Sequence, residues 1–281
     1  MNAVQSRVDR VALSQVRLCG RGLAMTLSLA AGQRLAVVGP GASGKSRLLR
    51  AIAGQDRLEE GSVHSEGEVF FLEPGTLSPR SKPQTIAKRT HENSASQSTE
   101  LLVATRLWDV RAHSVSDLSP SQEAAAETLA LLSSSADVRL WDGQLDDLDP
   151  WTFDSVWGHL EKGSSAGVCD VIATHRPEIV ELCDAVIVLS ALEVRFAGRV
   201  EELLTRVSET EMIVRTEHQG AVRALVSPFQ VSVQRHPEGL LIRAAEGQAL
   251  AARLLAEGYG DVECIVMKPA SVGAALRTLI A

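Results

Sequence analysis

Short apolar runs separated by polar turns fill the first two hundred residues of the chain. Most of these runs are β-branched or leucine-rich along their whole length, which is typical of strands in a parallel sheet covered by helices on both faces. Alternating apolar and polar residues at 11–18 and 25–29 instead predict two antiparallel strands. Continuous strands are predicted at 34–39, 67–73, 138–142, 168–175 and 184–190.

Helical patterns lie between these strands, at 46–54, 121–134 and 176–182. In the first of them Leu48, Leu49 and Ile52 share one face, so this helix is expected to pack on the sheet. The polar tract 80–100 is rich in Ser, Thr and Gln and predicts either a mobile loop or a weak helix, solvated in both cases. Strands alternating with helices indicate an α/β fold.

The pattern changes after residue 207. Residues 211–280 give the order strand, helix, strand, strand, helix, strand and a closing helix, with a hairpin around "HPEG". That order is typical of a small α+β, ferredoxin-like sandwich. We therefore predict two domains, residues 1–207 and residues 208–281.

Composition excludes several classes of protein. The formal net charge is −7, so no overall positive field favours nucleic acid. Nowhere do about 18 uncharged apolar residues run together, so we expect no membrane span, and the N-terminus lacks the apolar core of a signal peptide. The four cysteines are widely spaced and are expected to be reduced core residues of a cytosolic protein.

Between the strand at 34–39 and the helix at 46–54 lies "GPGASGKS", which fits the pattern G-x-x-x-x-G-K-[S/T]. Its glycines let backbone N–H groups approach phosphate oxygens, and the helix N-terminus adds partial positive charge. The strand and helix context favours nucleotide binding over an empty glycine-rich turn. The predicted nucleotide-binding residues here are Gly39, Pro40, Gly41, Ala42, Ser43, Gly44, Lys45, Ser46 and the adjoining Arg47.

Four weaker motifs follow in a fixed order. "LSPSQ" contains Ser119 and Gln122 and opens an alanine-rich helix, and Asp142 ends the next strand. "LDP" then contributes Asp149, and "ATH" places His175 at the end of the following strand. Together with the phosphate loop, this series resembles the nucleotide-binding subunits of ABC transporters.

The resemblance covers about residues 8–204. It implies a P-loop NTPase fold of the ABC type, with a mainly parallel core sheet, an antiparallel β subdomain and a helical subdomain that is shortened here. The C-terminal portion more loosely resembles the small domain appended to some ABC-2-type exporter ATPases. In the family, two such domains face each other head to tail and bind two nucleotides between them.

The resemblance also implies ATP and Mg²⁺ as ligands and gives roles to particular residues. Ser46, Glu73 and Asp142 would hold the metal ion, and His175 would contact the γ-phosphate. Ser119 and Gln122 would reach the nucleotide held by the partner chain.

Asp149 would communicate across the interface between the two chains.

Four tryptophans are expected in the core or in an interface, namely Trp108, Trp141, Trp151 and Trp157. Three histidines are expected at the surface, namely His113, His159 and His236.

Several positions depart from the family pattern. Gly143 stands where a glutamate polarises the attacking water, and losing a positioned general base costs about 10²–10⁴-fold in rate. Asp146 and Asp147 lie four and five residues beyond Asp142, out in a turn, where neither is expected to replace it. Glu73 stands in place of a glutamine, and Pro120–Ser121 in place of two glycines. The aromatic residue expected to stack on adenine is missing.

These departures favour a degenerate ATP-binding subunit that holds ATP–Mg²⁺ and docks on a membrane permease at the inner face of the cytoplasmic membrane. A heteromeric pair with an intact second ATPase chain is preferred over a homodimer. A scaffold protein that acts through protein contacts is the alternative. An active ATPase would need another base, and a small-molecule kinase would need an arginine-bearing lid and would not predict "LDP" or His175.

Overall fold

The computed structural model describes residues 9–19, 22–88, 94–206, 210–229, 231–244, 247–257, 262–268 and 271–280. The chain divides into two compact units between Val200 and Glu201, whereas the sequence suggested a boundary after residue 207. The first unit has two sheets and the second has one, and each unit has its own hydrophobic core.

The strands of the first unit belong to two sheets. In chain order they are β1 (Asp9–Arg17), β2 (Met25–Ala30), β3 (Arg34–Val38), β4 (Glu60–Ser65), β5 (Val69–Phe71), β6 (Val138–Asp142), β7 (Cys169–Thr174), β8 (Ala185–Ser190) and β9 (Glu193–Arg199). The core sheet has the order β5-β6-β7-β3-β8-β9 and is parallel except for β9, and the smaller sheet is antiparallel with the order β2-β1-β4. The predicted α/β fold with an antiparallel subdomain is confirmed.

The helices of the first unit lie between its strands along the chain. They are α1 (Lys45–Ile52), α2 (Pro83–Ile86), α3 (Ala95–Ala104), α4 (Pro120–Leu132), α5 (Pro150–Ser165) and α6 (Pro177–Glu181). Leu48, Leu49 and Ile52 of α1 are buried in a core shared by both sheets. Full burial of each such side chain contributes about 1.5–3 kcal/mol.

The sheet register brings the carboxyl ends of the central strands to one edge. Val38 at the end of β3 pairs with Thr174 at the end of β7, and Asp142 at the end of β6 pairs with Ala173. Residues that follow these strands therefore lie side by side, as expected at the ligand-binding edge of a parallel sheet.

Two expectations about the first unit were wrong, and three of its elements, β4, β9 and α5, were not predicted. The polar tract is partly buried, because α2 buries Pro83 and Ile86 and α3 buries Ser98. Residues 89–93 of that tract lie outside the described residues. His159 is not a surface residue, because only 16% of its side chain is exposed.

Tryptophans and cysteines also divide between core and surface. Trp141 and Trp157 are buried, whereas Trp151 is 67% exposed. Cys169 and Cys183 are buried, and burial raises the pKa of the Cys183 thiol to about 12. Cys264 is exposed, so the expectation that all four cysteines are core residues was wrong.

A buried ion pair joins β6 to β7. Arg139 donates from Nε and a terminal nitrogen to the two carboxylate oxygens of Asp170, at 2.8 and 2.9 Å. The Trp141 indole donates to the same carboxylate at 2.8 Å. Asp170 is fully buried, so this carboxylate depends on those three donors in place of water.

The second unit has the predicted ferredoxin-like order. Its elements are α7 (Val200–Arg206), which begins at the division, then β10 (Thr210–Arg215), α8 (Gln219–Val226), β11 (Val231–His236), β12 (Gly239–Ala244), α9 (Gly247–Glu257), β13 (Cys264–Lys268) and α10 (Val272–Ile280). The four strands are antiparallel in the order β11-β12-β10-β13. Met212, Val214 and Leu240 form a core with Val222 and Leu254 from α8 and α9.

Candidate functional site

The loop from Gly39 to Gly44 connects β3 to α1 at the carboxyl edge of the core sheet. A Cβ atom on Gly39 would lie 2.2 Å from the carbonyl oxygen of Leu189, so only glycine fits there. Gly44 has φ +103°, in the region that favours glycine. The conformation of the loop therefore depends on its glycines. The loop places the N-terminus of α1 at this edge of the sheet, and a helix N-terminus favours the binding of phosphate groups.

Lys45 begins α1 and folds back over the loop. Its Nζ atom donates to the carbonyl oxygens of Gly39 at 2.8 Å and Pro40 at 2.9 Å. Burial lowers the pKa of the Lys45 ammonium, and the negative charges of Asp142 and Asp146 oppose this effect. The ammonium thus lies inside the loop and close to two carboxylates, where it can neutralise phosphate charge.

The Ser43 hydroxyl is buried in the same loop with no hydrogen-bond partner among the residues that the structure describes. A buried polar atom without a partner is uncommon in folded proteins and marks a place that an unseen ligand or water can satisfy. This observation fits a loop that closes around a ligand.

Ser46 and Asp142 meet beside the loop. The Ser46 hydroxyl at the start of α1 donates to Oδ1 of Asp142 at the end of β6, at 3.0 Å. A hydroxyl and a carboxylate are the hard oxygen ligands that Mg²⁺ takes beside nucleotide phosphates, so these two residues fit that ion. Bound there, Mg²⁺ would supply neutralising charge on the phosphates.

Glu73 follows β5, and the structure pairs it with another residue. Its Oε1 atom lies 3.2 Å from a terminal nitrogen of Arg50 on α1. The predicted metal-binding role of Glu73 stays a prediction. Across the described ranges, no group of three or more His, Cys, Asp or Glu side chains is arranged to hold a metal by itself, so phosphate and water oxygens would complete a Mg²⁺ shell.

Gly143 has no side chain to offer at the position after Asp142. Its φ is +90°, and a Cβ atom built on it would meet nothing within 4 Å. Its backbone N–H donates to the carbonyl oxygen of Ala173 at 3.2 Å, which continues the link between β6 and β7. There is space for a side chain here, but the backbone conformation disfavours any residue except glycine.

The side chain of Asp146 lies at the carboxyl edge of the sheet, next to the end of β7. This position was not predicted from the sequence. The backbone N–H of Asp146 donates to the carbonyl oxygen of Gly143 at 2.9 Å, so a tight turn brings the side chain back. Only 6% of that side chain is exposed. Its carboxylate accepts hydrogen bonds from the Thr174 hydroxyl and from the backbone N–H of His175, and lies 2.7 Å from Nδ1 of His175.

Gln144 is a second residue that sequence reasoning missed. It is 2% exposed; its side-chain oxygen accepts from the backbone N–H of Asp142 at 2.6 Å, and its side-chain nitrogen donates to Leu72 O at 3.0 Å. Nearby, Glu127 of α4 accepts from the backbone N–H of Gly75 at 2.5 Å, and burial raises the pKa of this carboxyl. These bonds tie the segment after β5 to the end of β6 and to α4.

The predicted contacts with a partner's nucleotide come from residues that also cap helices. Ser119 is the N-cap of α4 and forms a capping box with Gln122, so each side chain bonds to the backbone N–H of the other. Pro120 follows at the first position of the helix and offers no N–H. The roles of Ser119 and Gln122 toward a second nucleotide stay predictions.

Asp149 caps α5 in the same way. It accepts from the backbone N–H groups of Trp151 and Thr152 and from the Thr152 hydroxyl, at 3.1, 3.0 and 2.6 Å. The Thr152 hydrogen bond lowers the pKa of the Asp149 carboxyl. All of these bonds are local, and the predicted role of Asp149 across a dimer stays a prediction.

Arg47 lies on α1, and its side chain contacts other protein groups. It donates to Leu18 O at 2.5 Å and faces Asp56 at 3.7 Å and Glu59 at 3.8 Å. These contacts fasten α1 to the end of β1 and to the segment after α1. A contact of Arg47 with nucleotide stays a prediction.

Comparisons with known proteins agree with this geometry. The sequence model described as "ABC transporter" matches residues 23–145. The methionine import ATP-binding protein MetN of Brucella abortus (strain 2308) is 27% identical over 191 residues, which cover 59% of this chain and 52% of that protein. The lipoprotein-releasing system ATP-binding protein LolD of Paramagnetospirillum magneticum is 28% identical over 192 residues, 58% of this chain and 84% of that protein.

A solved structure shares the fold. It comes from an ABC transporter described as of metal-chelate type in an inward-facing conformation, with a TM-score of 0.55, 18% identity and coverage of 83% of this chain and 95% of that chain. The chain matches about half the length of the MetN relatives, 52% in the first case. Within the described residues, no helix combines the length and apolar character needed to cross a bilayer.

The matched region contains the phosphate loop, Lys45, Ser46 and Asp142, and it lies in a sheet whose order and register bring those residues to one edge. Residues 23–145 are therefore similar in sequence to the ABC transporter family, and the first unit of this chain has the P-loop fold of an ABC-type ATPase.

Proposed function

We propose that the chain is a degenerate ATP-binding subunit of an ABC transporter, which binds ATP–Mg²⁺ and hydrolyses it weakly or not at all by itself. The observation that carries the proposal is the contrast between two parts of one site. Lys45 lies over the loop, and Ser46 and Asp142 lie together beside it. Gly143, in contrast, has no side chain that could act as a general base.

The chemistry of the loop supports binding. Lys45 now bonds to two carbonyl oxygens of the loop, and phosphate oxygens are stronger acceptors for an ammonium than neutral carbonyls. The backbone N–H groups at the start of α1 and the charge of Lys45 therefore favour a triphosphate. Ser46 and Asp142 would hold Mg²⁺ against it.

The partners belong to the same proposal. The relatives are named as ATP-binding proteins of import and release systems, so we propose that this chain docks on an integral membrane permease at the inner face of the cytoplasmic membrane. We also propose a second ABC ATPase chain as partner. An intact partner would supply a base to one of the two sites, which favours a heteromeric complex.

A second candidate function is a regulatory scaffold that acts through protein contacts. Pro120 at the start of α4 removes a backbone N–H that would face a partner's phosphate. The sequence also has no Phe, Tyr or Trp before Phe70, so no ring from that segment can stack on adenine. On this alternative, nucleotide would only stabilise a docking shape or would not bind.

Nucleotide titration distinguishes the two candidates. ATP–Mg²⁺ at 100 times its Kd is expected to stabilise the full chain by about 2.7 kcal/mol, measured as a shift in thermal or urea unfolding. Lys45→Ala is expected to abolish the shift, because the loop loses its charge. Arg50→Ala, also on α1 and paired with Glu73, is the matched control and is expected to keep it.

If the unmodified chain shows no shift with ATP–Mg²⁺, the binding proposal is wrong and the scaffold function remains. Single-turnover hydrolysis by the purified chain at the rate of an intact ABC ATPase would contradict the proposed degeneracy.

A further inference from the structure

Asp146 lies where it can act on His175, and nothing in the proposed function uses this contact. His175 follows β7, whose last residue Thr174 pairs with Val38 at the end of β3, so His175 and the phosphate loop both follow strand ends at the same edge of the sheet. The side chain of His175 is 73% exposed, whereas that of Asp146 is 6% exposed. The exposed imidazole is thus held at the edge of the site by a buried carboxylate.

The hydrogen bonds determine which imidazole nitrogen carries the proton. Oδ2 of Asp146 lies 2.7 Å from Nδ1 of His175 and also accepts from the His175 backbone N–H at 3.1 Å. A carboxylate only accepts, so Nδ1 must be the donor. In the neutral ring, Nε2 is then left as an acceptor.

Asp146 itself is poorly placed to take a proton from water. Its other oxygen accepts from the Thr174 hydroxyl, and the Thr174 oxygen in turn accepts from the Arg176 backbone N–H at 3.0 Å. Both carboxylate oxygens are therefore engaged with the end of β7. Among the residues that the structure describes, Nε2 of the exposed imidazole has no hydrogen-bond partner.

We infer that Asp146 is a positioning residue, which fixes the Nδ1–H form of His175 so that Nε2 serves as the proton acceptor in the absence of a glutamate at position 143. In the step this allows, the water oxygen bonds to the γ-phosphorus, the bond to the β,γ-bridging oxygen breaks, and its electron pair leaves with ADP. The water proton passes to Nε2, and Asp146 stabilises the resulting imidazolium.

This inference rests on the proposed function for its substrate, but its geometry can be tested without nucleotide. Nitrogen-15 NMR of histidine-labelled full chain at pH 8 should show His175 with Nδ1 protonated and Nε2 unprotonated, with the signals assigned by their loss in His175→Gln. Asp146→Ala is expected to convert the ring to the Nε2–H form. Asp147→Ala changes the adjacent, exposed carboxylate and is expected to leave the ring unchanged.

Single-turnover hydrolysis tests the catalytic part. Asp146→Asn keeps the shape of the side chain and removes its charge, and it is expected to slow turnover about 10–100-fold, the range found when a group that orients a metal-ligating histidine is lost. ATP affinity, measured separately by calorimetry, is expected to stay within twofold. His175→Gln should slow turnover at least as much, and Asp147→Asn should not.

Two results would overturn the inference: an unchanged His175 ring in Asp146→Ala, or a full-chain turnover no faster than that of His175→Gln. Failure of the proposed function is a different result, namely no ATP binding in calorimetry while the ring still responds to Asp146→Ala.

Discussion

Gly143 stands between two carboxylates with different surroundings. Asp142 before it bonds to the Ser46 hydroxyl, and Asp146 after it is held by the end of β7. At the scale of single residues, the proposed phosphate and metal ligands therefore lie together, and the site lacks a side chain at the position where the family has its base. The φ of +90° shows that the backbone has also adapted to glycine.

Gly143→Glu tests whether the missing base limits hydrolysis. A side chain has room there, but the positive φ is expected to cost about 1–2 kcal/mol of stability, measurable by urea unfolding. Single-turnover hydrolysis is expected to rise, by up to about 10²–10⁴-fold if the carboxylate reaches the water.

Gly143→Ala is the matched control, because it carries the same backbone strain without a carboxylate. It should lose the same stability and gain no rate. Equal rates in the original chain and in Gly143→Glu would indicate that another base is already active.

At the scale of elements, the site depends on strands whose ends are held in line. β6 and β7 are joined by their parallel ladder and by the buried pair of Arg139 and Asp170. Since Asp142 ends β6 and His175 follows β7, any change in the relative position of these strands would move Asp142, the proposed metal ligand, relative to His175.

The Arg139–Asp170 pair gives a testable stability effect. Arg139→Met leaves the buried Asp170 carboxylate with the Trp141 indole as its one side-chain donor among the described residues. This change is expected to cost about 3–5 kcal/mol of stability, measured by urea unfolding. The double variant Arg139→Met/Asp170→Asn removes the uncompensated charge and keeps an acceptor for Trp141. It should recover most of the loss; a double variant no more stable than the single one would contradict this account.

At the scale of the whole molecule, the chain joins two units with separate cores. The first has the α/β fold of an ABC-type ATPase, and the second has a ferredoxin-like sheet. Both were predicted from the order of apolar runs, because that order is set by local periodicity. The stability of the first unit also depends on the protonation of one histidine, His159.

His159 makes unfolding depend on pH. Burial lowers the pKa of His159, and the charge of Lys162 lowers it further while Glu100 opposes this. The folded chain thus binds this proton less well than the unfolded chain, so the contribution is fully present above the unfolded pKa of about 6.5 and is lost as pH falls below it.

Urea unfolding at pH 7.5 and pH 5.0 measures this effect. His159→Gln is expected to lose less stability than the original chain between these two values. His113→Gln changes an exposed histidine and should follow the original chain. Equal losses in His159→Gln and the original chain would show that His159 does not contribute.

The sequence by itself determined most of the strand and helix order, the glycine-rich loop and the glycine at position 143, since each depends on local pattern and residue type. It did not predict β4, β9 or α5. Tertiary structure decided the rest. Asp146 was not expected at the site because a four-residue turn gives no sign of where its last side chain points, and only the bonds to Thr174 and His175 bring it there. Gln144, Arg139 and the burial of His159 likewise depend on neighbours that are distant in the chain, and such contacts leave no periodic signal.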